Sequence, residues 1–279
     1  MSAPLLSRTL AGRVALVTGA GRGIGRAIAE DLAARGASVA LLDVEAPDVA
    51  ALEIGSRHGV ATQAVAADVT REHEVMAACT EVEATLGPVT VLVNNAGIMQ
   101  RQSADFHTLP MDDLARMLAV HVTGSATVCK AVLPAMRRQR FGRIVNLSSV
   151  IGLVGLQRRT GYSTAKAAIA GLTRGLALEN GRHGITVNAV APGYVLTEVL
   201  QDKMRLGTLD HDLFAQRAAV GRWARPEEIA RVVGFLCEPA SGFVTAAVWP
   251  VDGGYAASGN PGEDLGPLQE LPEPMAPGI

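Results

Sequence analysis

Aromatic residues and cysteines are scarce in this chain. Phe, Trp and Tyr together make up 4% of its 279 residues, and its three cysteines, Cys79, Cys129 and Cys237, lie far apart. An odd number of widely spaced cysteines argues against a disulfide framework and matches no metal-binding motif. The six histidines do not cluster either. We therefore expect reduced thiols and no protein-bound metal.

The chain also has no excess of basic charge and no long hydrophobic run. It carries 25 Lys and Arg against 27 Asp and Glu, a formal net charge of −2. A nucleic-acid partner would require a basic stripe, and a membrane span would require about 18 consecutive apolar residues. Residues 1–10 hold no apolar run long enough for a signal peptide. We expect a cytoplasmic protein with neither a nucleic-acid nor a membrane partner.

Short apolar runs alternate along the chain with amphipathic segments of helix length. Nearly continuous apolar runs rich in valine and isoleucine are typical of strands that are buried on both faces. Their alternation with helices predicts an α/β, doubly wound fold with a seven-stranded parallel sheet and helices on both faces. The predicted strands are Val14–Val17, Val39–Leu42, Thr62–Ala67, Val89–Val93, Ile144–Leu147, Ile185–Val190 and Ala247–Val251.

Glycine, threonine and proline residues predict where several helices begin and end. Gly36 is placed to end the first helix, Thr70 to cap the helix after the third strand, and Pro110 and Pro226 to begin two later helices. No internal linker precedes about residue 256, so we predict one domain over residues 1–257. Residues 258–279, with five prolines, four acidic residues and no basic one, predict an irregular tail. The alternative is an arm that docks on a neighbouring subunit.

A glycine-rich turn separates the first strand from the first helix. Glycines let a backbone turn tightly and approach a pyrophosphate closely. The N-terminus of the following helix presents free N–H groups and a positive dipole end to that anion. The sequence therefore predicts a dinucleotide-binding loop, for which the candidate residues are Gly19, Gly21, Arg22, Gly23, Ile24 and Gly25.

An acidic residue, Asp43, ends the second predicted strand. A carboxylate at this place can accept hydrogen bonds from both hydroxyls of an adenosine ribose, and it would repel a 2′-phosphate. This favours NAD over NADP. Arg22 argues the other way, because a guanidinium near the ribose could welcome a phosphate. The alternatives are a turn residue for Asp43 and a surface salt bridge for Arg22.

Polar residues also follow the third and fourth predicted strands. Doubly wound sheets bind their ligands at the carboxyl ends of their strands, so these residues are further candidates for dinucleotide contacts. Ordinary turn chemistry is the alternative for each of them. The candidates are Asp68, Val69, Asn95, Ala96 and Gly97.

Three further residues are candidates for proton transfer. Tyr162 and Lys166 are four residues apart in a predicted helix, so their side chains project from one face, a turn apart. A tyrosine pKa is ordinarily ~10. A neighbouring ammonium, together with the positive charge of an oxidised nicotinamide, lowers this pKa toward the range that suits a general base. Ser149 follows the fifth strand, where its hydroxyl could hold a substrate oxygen. Taken alone, each motif is common on helix faces and in loops.

In this order and at these spacings, the motifs resemble those of the short-chain dehydrogenase/reductase family over roughly residues 10–255. The resemblance implies a Rossmann-type fold, a homotetramer, and hydride transfer between NAD(H) and a small secondary alcohol or ketone. It implies that Tyr162 is the general acid/base, that Lys166 binds the nicotinamide ribose and that Ser149 positions the substrate oxygen. The remaining matches are Thr18–Gly25, Asp68, Asn94–Gly97, Asn188, Val251–Gly254 and a cofactor segment with Pro192, Gly193, Val195 and Thr197.

His121 departs from the family pattern, which has an asparagine that helps to hold a water in a proton relay. Histidine keeps the backbone carbonyl and has a side chain that ordinarily titrates near neutrality. Our hypothesis is that His121 supports the relay; the alternative is a packed helix histidine with no catalytic duty. A smaller departure is Ala246, where the family often has glycine.

The predicted substrate pocket lies between the segments that follow Ser149 and Thr197. The second segment is apolar at near-helical spacing and resembles a lid that excludes water. Four polar residues, Arg101, Gln157, Arg158 and Arg159, lie in segments that could face the pocket and suggest an anionic substrate. The alternative is that these arginines are solvated. Candidate substrates are sugars, polyols and hydroxy acids; the competing hypotheses are a 3-oxoacyl thioester or other apolar ketone, and a non-catalytic dinucleotide sensor.

Overall fold

The computed structural model describes residues 8–207 and 211–258. Seven strands form one sheet with the order β3-β2-β1-β4-β5-β6-β7, and every neighbouring pair is parallel. The predicted strands are confirmed to within two residues at each end. They are β1 (Val14–Thr18), β2 (Ser38–Asp43), β3 (Thr62–Ala66), β4 (Val91–Asn94), β5 (Gly142–Leu147), β6 (Ile185–Pro192) and β7 (Val248–Val251).

Helices connect the strands and cover both faces of the sheet. A π-helical turn, Ala119–Gly124, joins the fourth helix to the fifth without a break. The helices are α1 (Gly23–Ala34), α2 (Asp48–His58), α3 (Glu72–Leu86), α4 (Met111–Leu118), α5 (Ser125–Gln139), α6 (Val150–Val154), α7 (Thr160–Asn180), α8 (Glu198–Arg205), α9 (His211–Ala215) and α10 (Pro226–Cys237).

Most of the predicted helix boundaries are confirmed. Gly36 follows the end of α1 with a φ of +90°, a conformation that favours glycine. Pro226 is the first residue of α10, and Pro110 immediately precedes α4. The prediction for Thr70 is wrong, because its hydroxyl donates to Asp68 at 2.7 Å and α3 begins only at residue 72.

The core lies on both faces of the sheet, which explains the continuous apolar runs. On one face, Val17, Val39 and Leu41 pack with residues of α1 and α10. On the other face, Leu16 and Leu92 pack with residues of α3 and α5. The strand ends are thereby fixed, and the loops that follow them meet at one edge.

The helical stretch Met111–Gln139 is long and apolar enough, by length and composition alone, to cross a membrane. In the fold it packs against α3, α7 and strands β4 and β5, as a core helix does. The predicted tail lies outside the described residues apart from Ser258, so its structure stays a prediction.

Candidate active site

The glycine-rich turn forms a tight cradle between β1 and α1. Gly19 has a φ of +63°, and a Cβ atom added there would lie 2.8 Å from the Ala96 Cα. A Cβ atom at Gly25 would overlap the Gly19 carbonyl oxygen. Only glycine lets the backbone pass this closely, and α1 begins at Gly23 with its N-terminus at the cradle. This geometry fits a dinucleotide pyrophosphate.

The loop after β4 holds the cradle in shape. The Asn95 side-chain amide donates to Thr18 O at 3.0 Å and to Gly19 O at 2.9 Å. The Thr18 hydroxyl accepts from the backbone N–H groups of Asn95 and Ala96, both at 3.0 Å. Gly97 lies against His121, because a Cβ atom at Gly97 would be 2.6 Å from the imidazole Cε1. These residues shape the site through the backbone.

Asp43 lies at the rim of the same cradle. Its carboxylate accepts from Gly21 N at 3.0 Å and from Val44 N at 2.8 Å, and it is partly exposed. Arg22, which caps α1 with extended backbone, is exposed. A partly exposed carboxylate beside the loop fits the hydroxyls of a ribose.

The segment after β3 packs against the π-helical turn. Hydrogen bonds from the Thr70 backbone N–H and hydroxyl lower the pKa of Asp68. Val69 is buried, and its Cγ2 would lie 2.8 Å from a Cβ atom at Gly124, so it packs on the π-helical turn. The Asp68 carboxylate is therefore ionised and held in place by Thr70 at the carboxyl end of β3.

Ser149 and Tyr162 meet where β5 and α7 approach one another. Ser149 caps α6, with its hydroxyl accepting from Ile151 N at 3.2 Å, and it is hydrogen-bonded to the Tyr162 phenol. Lys166, a turn beyond Tyr162 on α7, has its Nζ atom 5.8 Å from the Tyr162 ring centroid. That ammonium group donates to Leu147 O at 2.8 Å. The three predicted proton-transfer residues therefore lie together.

The electrostatics differ from the sequence-based expectation for the phenol. Burial raises the pKa of Tyr162, and the hydrogen bond with Ser149 opposes this only in part. Burial also lowers the pKa of Lys166 to about 7. In the protein alone, desolvation of the phenol therefore outweighs its stabilising contacts. The predicted lowering of the Tyr162 pKa, which includes the charge of an oxidised nicotinamide, stays a prediction.

His121 is buried within the π-helical turn. Its Nε2 lies 2.9 Å from Ile98 O, its ring meets the Tyr162 ring edge-on at 5.7 Å, and its Nδ1 is a buried atom without a hydrogen-bond partner. Burial, and then the charge of Lys166, lower the pKa of His121 to about 3. The expectation that this imidazole titrates near neutrality is therefore wrong. Its backbone carbonyl accepts from the Ser125 hydroxyl at 2.7 Å.

The segment after β6 lines the other side of the cleft. Pro192 ends β6, and a Cβ atom at Gly193 would lie 2.8 Å from the Asp252 Cα. Val195 is buried and bridges to Ala224. A Cβ atom at Gly23 would lie 3.4 Å from the Thr197 Cγ2, so Thr197 lies beside the glycine-rich loop.

A cavity of about 500 Å³ opens between these segments. The Ser149 and Tyr162 hydroxyl-bearing side chains belong to its lining. The other lining residues are Met99, Gln100, Ser103, Val150, Ile151, Leu156, Gln157, Arg159, Gly193, Tyr194, Leu200, Lys203, Leu213 and Phe214.

Comparison with known proteins identifies the family. A family model described as enoyl-(acyl carrier protein) reductase matches residues 19–256. A cis-4-hydroxycyclohexanecarboxylate dehydrogenase of Sinomonas cyclohexanicum is 42% identical over 257 residues, which cover 90% of this chain and 100% of that protein. The chain belongs to the short-chain dehydrogenase/reductase family. It is an oxidoreductase that uses a nicotinamide dinucleotide on hydroxyl or carbonyl groups.

Other short-chain dehydrogenases/reductases match over similar lengths. A 3-oxoacyl-[acyl-carrier-protein] reductase of Aquifex aeolicus is 38% identical, covering 88% of this chain and 98% of the relative. The crystal structure of a gluconate 5-dehydrogenase from Burkholderia cenocepacia, in complex with NADP and tartrate, superposes with a TM-score of 0.83 at 33% identity, covering 91% and 99%. The chain spans 48% of an uncharacterized short-chain type dehydrogenase/reductase of Sinorhizobium fredii that is 36% identical.

Within this short-chain dehydrogenase/reductase, the four predicted substrate residues separate into two pairs. Gln157 and Arg159 line the cavity. Arg101 and Arg158 do not, because Arg101 pairs with Asp112 at 3.2 Å and Arg158 pairs with Asp105 at 3.3 Å. Acidic neighbours in solvent hold these two guanidinium groups outside the cavity, which corrects the prediction for both.

Four polar residues of the cavity lining, Gln100, Ser103, Tyr194 and Lys203, were not predicted from the sequence. Gln100 is buried and donates to Gln102 O at 2.8 Å and to Arg158 O at 3.0 Å. Tyr194 stacks on Phe214 with 4.3 Å between ring centroids. Lys203 lies one helical turn after Val199 and Leu200 on α8, a spacing that could have placed it on the same face.

Proposed function

We propose that this chain is an NAD-dependent dehydrogenase of a small secondary alcohol, or of the corresponding ketone, of the sugar, polyol or hydroxy-acid kind. The observation that carries the proposal is the shared placement of Ser149 and Tyr162 in the lining of the 500 Å³ cavity, with Lys166 5.8 Å from the phenol ring. The glycine-rich cradle joins the same cleft through Thr197.

In this proposal each residue has one task. Ser149 hydrogen-bonds the substrate oxygen and holds it beside the phenol. Tyr162 takes the proton from the alcohol during oxidation and returns it to the carbonyl oxygen during reduction. Lys166 holds the cofactor ribose and brings positive charge to the site. When bound, the nicotinamide accepts or supplies the hydride.

The dinucleotide is held by the cradle and by the loops around it. The backbone of Gly21 and Gly23 and the N-terminus of α1 suit the pyrophosphate, and the Asp43 carboxylate favours NAD. Arg22 and the NADP in the related gluconate dehydrogenase structure argue for NADP. We favour NAD because the Asp43 carboxylate lies directly on the loop, at 3.0 Å from Gly21 N.

The relatives support two substrate classes. The Sinomonas dehydrogenase is named for a hydroxy acid and the Aquifex reductase for a 3-oxoacyl thioester. The apolar part of the lining, including Leu156, Leu200 and Phe214, suits the acyl chain of the second class. The two cationic side chains of the cavity favour the first class, so thioester reduction is the second candidate.

Turnover with NAD and NADP against secondary alcohols, hydroxy acids, sugar alcohols and acyl ketones tests this proposal through absorbance of the reduced cofactor. We expect Tyr162→Phe to lower kcat by about 10²–10⁴-fold, as loss of general acid/base catalysis does. Tyr194→Phe removes a phenol oxygen from the same cavity and is the matched control, with an expected change under about fivefold. Turnover retained by Tyr162→Phe would refute the mechanism, and tighter calorimetric binding of NADP than NAD would refute the cofactor assignment. Binding of a dinucleotide without turnover of any substrate would support the sensor hypothesis.

We further propose a cytoplasmic homotetramer. The free cysteines Cys79, Cys129 and Cys237, all buried, suit a reducing compartment. Exposed apolar side chains such as Phe243 and Leu178 suit contacts between subunits.

A further inference from the structure

The cavity has an uneven distribution of charge. Among the described residues that line it, Arg159 and Lys203 are cationic and none is an aspartate or a glutamate. The two residues come from different elements, since Arg159 precedes α7 and Lys203 belongs to α8. Cationic groups therefore approach the cavity from two directions.

These two cationic groups lie close enough to affect one another. Burial, and then the charge of Arg159, lower the pKa of Lys203. Both side chains are partly buried, so solvent screens their repulsion only in part. A bound anion would offset that repulsion and gain two charge-assisted hydrogen bonds.

The Arg159 guanidinium has N–H donors available for such a ligand. Within the described part of the chain, its guanidinium makes one hydrogen bond, from Nη1 to Gln100 O, which is long at 3.5 Å, whereas a guanidinium carries five N–H donors. Its chain neighbour Arg158 differs, because its guanidinium pairs with Asp105 at 3.3 Å. Arg159 also occupies the N-cap of α7, at the positive end of the helix dipole.

A large part of the remaining lining is apolar, although Gln100, Ser103 and Gln157 also belong to it. Leu156, Leu200, Leu213 and Phe214 present hydrocarbon surface, and Tyr194 stacks on Phe214. A polyol would leave its hydroxyl groups unpaired against such a surface, at a cost in binding free energy. A hydrocarbon body with a single charged group matches this wall better.

We propose that the substrate is a hydroxy acid or keto acid with an apolar body, whose carboxylate is bound by Arg159 and Lys203. The apolar body then lies against Leu156, Leu200 and Phe214, and the hydroxyl-bearing carbon faces Ser149 and Tyr162. This assignment rests on the proposed function, and it names the substrate class of the same site.

Matched pairs of compounds test the role of the charge. The substrates are 3-hydroxybutyrate and 5-hydroxyhexanoate, each compared with its carboxamide, in turnover with NAD. We expect kcat/KM for the preferred acid to exceed that of its amide by about tenfold or more, since a charged hydrogen bond is the difference. Arg159→Met and Lys203→Met should each lower this acid-to-amide ratio by about tenfold, mainly by raising the KM for the acid. Arg159→Lys restores part of it, and Arg101→Met, which changes a guanidinium outside the cavity, leaves the ratio unchanged.

A binding measurement separates this assignment from the proposed reaction. Calorimetry of the same acids and amides on the NADH-loaded protein requires no turnover, because alcohol and cofactor are both reduced. Tighter binding of an acid than of its amide, lost in Arg159→Met, supports the anion site even if no compound turns over. Equal binding of acids and amides overturns the anion site. Turnover of the amides that depends on Tyr162 would then leave the proposed function standing.

Discussion

His121 shows how burial changes the chemistry of a residue type. Free imidazole titrates near neutrality, yet here burial and the charge of Lys166 lower the His121 pKa to about 3. The side chain is therefore neutral across the working range. Its Nε2 lies 2.9 Å from Ile98 O and 3.3 Å from Ile98 N, so the backbone of Ile98 holds this edge of the ring in either tautomer.

We predict that His121→Asn keeps the pH dependence of kcat/KM, with its midpoint moved by less than about 0.3 unit, because a neutral group is exchanged for another. His121→Ala should lower the free energy of unfolding by about 1–3 kcal/mol, since it removes a buried ring and its contact with the Ile98 carbonyl. The pH–rate profile and urea unfolding measure the two effects.

The pH dependence of stability is the control for His121. The folded pKa is about 3 against an ordinary value of 6.5, so the unfolded chain binds the extra proton between these values. Stability from this group is present above pH 6.5 and falls as the pH drops toward 3. His121→Asn should flatten that slope. A slope in His121→Asn that is as steep as that of the wild type, or a shifted rate profile in this variant, would mean that the imidazole titrates in the working range.

Some site residues could be predicted from the sequence, whereas others depend on contacts that only the fold creates. Gly19 and Gly25 were predictable because a positive φ or a close approach admits no other residue. Arg101 and Arg158 were not distinguishable from Arg159, because their partners Asp112 and Asp105 follow from the fold. Local sequence indicates a guanidinium, but only tertiary contacts decide which way it points.

At the scale of elements, apolar patterning predicted the strands well because most of them, such as β1, β4 and β6, are buried on both faces. The π-helical turn at Ala119–Gly124 was not predicted, since it has no composition of its own within a helical stretch. The Thr70 cap failed because Asp68 competes for the hydroxyl.

A chain of buried amides ties three of these elements together. The Asn94 side chain of β4 donates to Asn146 Oδ1 of β5 at 2.8 Å, and Asn146 Nδ2 donates to the Thr173 hydroxyl of α7 at 3.0 Å. All three side chains are buried. They join the strands that carry the loop after β4 and the Ser149 segment to the helix that carries Tyr162.

We predict that Asn146→Leu lowers the free energy of unfolding by about 2–4 kcal/mol, because it removes the acceptor of Asn94 and the donor to Thr173 and leaves the Asn94 amide only its contact with Cys129 Sγ at 3.3 Å. Thr173→Val removes only the terminal hydroxyl and should cost less, about 1–2 kcal/mol. Denaturant titrations measure both values. Equal losses in the two variants, or a stabilised Asn146→Leu protein, would contradict a connected network.

At the scale of the whole molecule, exposed apolar side chains lie near the β7 edge of the sheet. Phe243 is fully exposed in the segment between α10 and β7, and Phe235 is 44% exposed beside Trp249, with 6.0 Å between ring centroids. A strand edge with exposed aromatic side chains favours association. The family resemblance likewise implies a homotetramer.

We predict a sedimenting species near four times the 29.0 kDa chain mass and a dependence of that species on Phe243. Phe243→Asp places a charge where a subunit contact would desolvate it, so smaller species should appear at micromolar concentration. Phe106→Asp is the matched control, since Phe106 is also exposed but precedes α4, away from the β7 edge. Because assembly stabilises the folded chain by mass action, the Tm of the wild type should rise with protein concentration more steeply than that of Phe243→Asp. A monomeric wild type would contradict the predicted tetramer. Equal dissociation of Phe243→Asp and Phe106→Asp would mean that the subunit contact does not lie at Phe243.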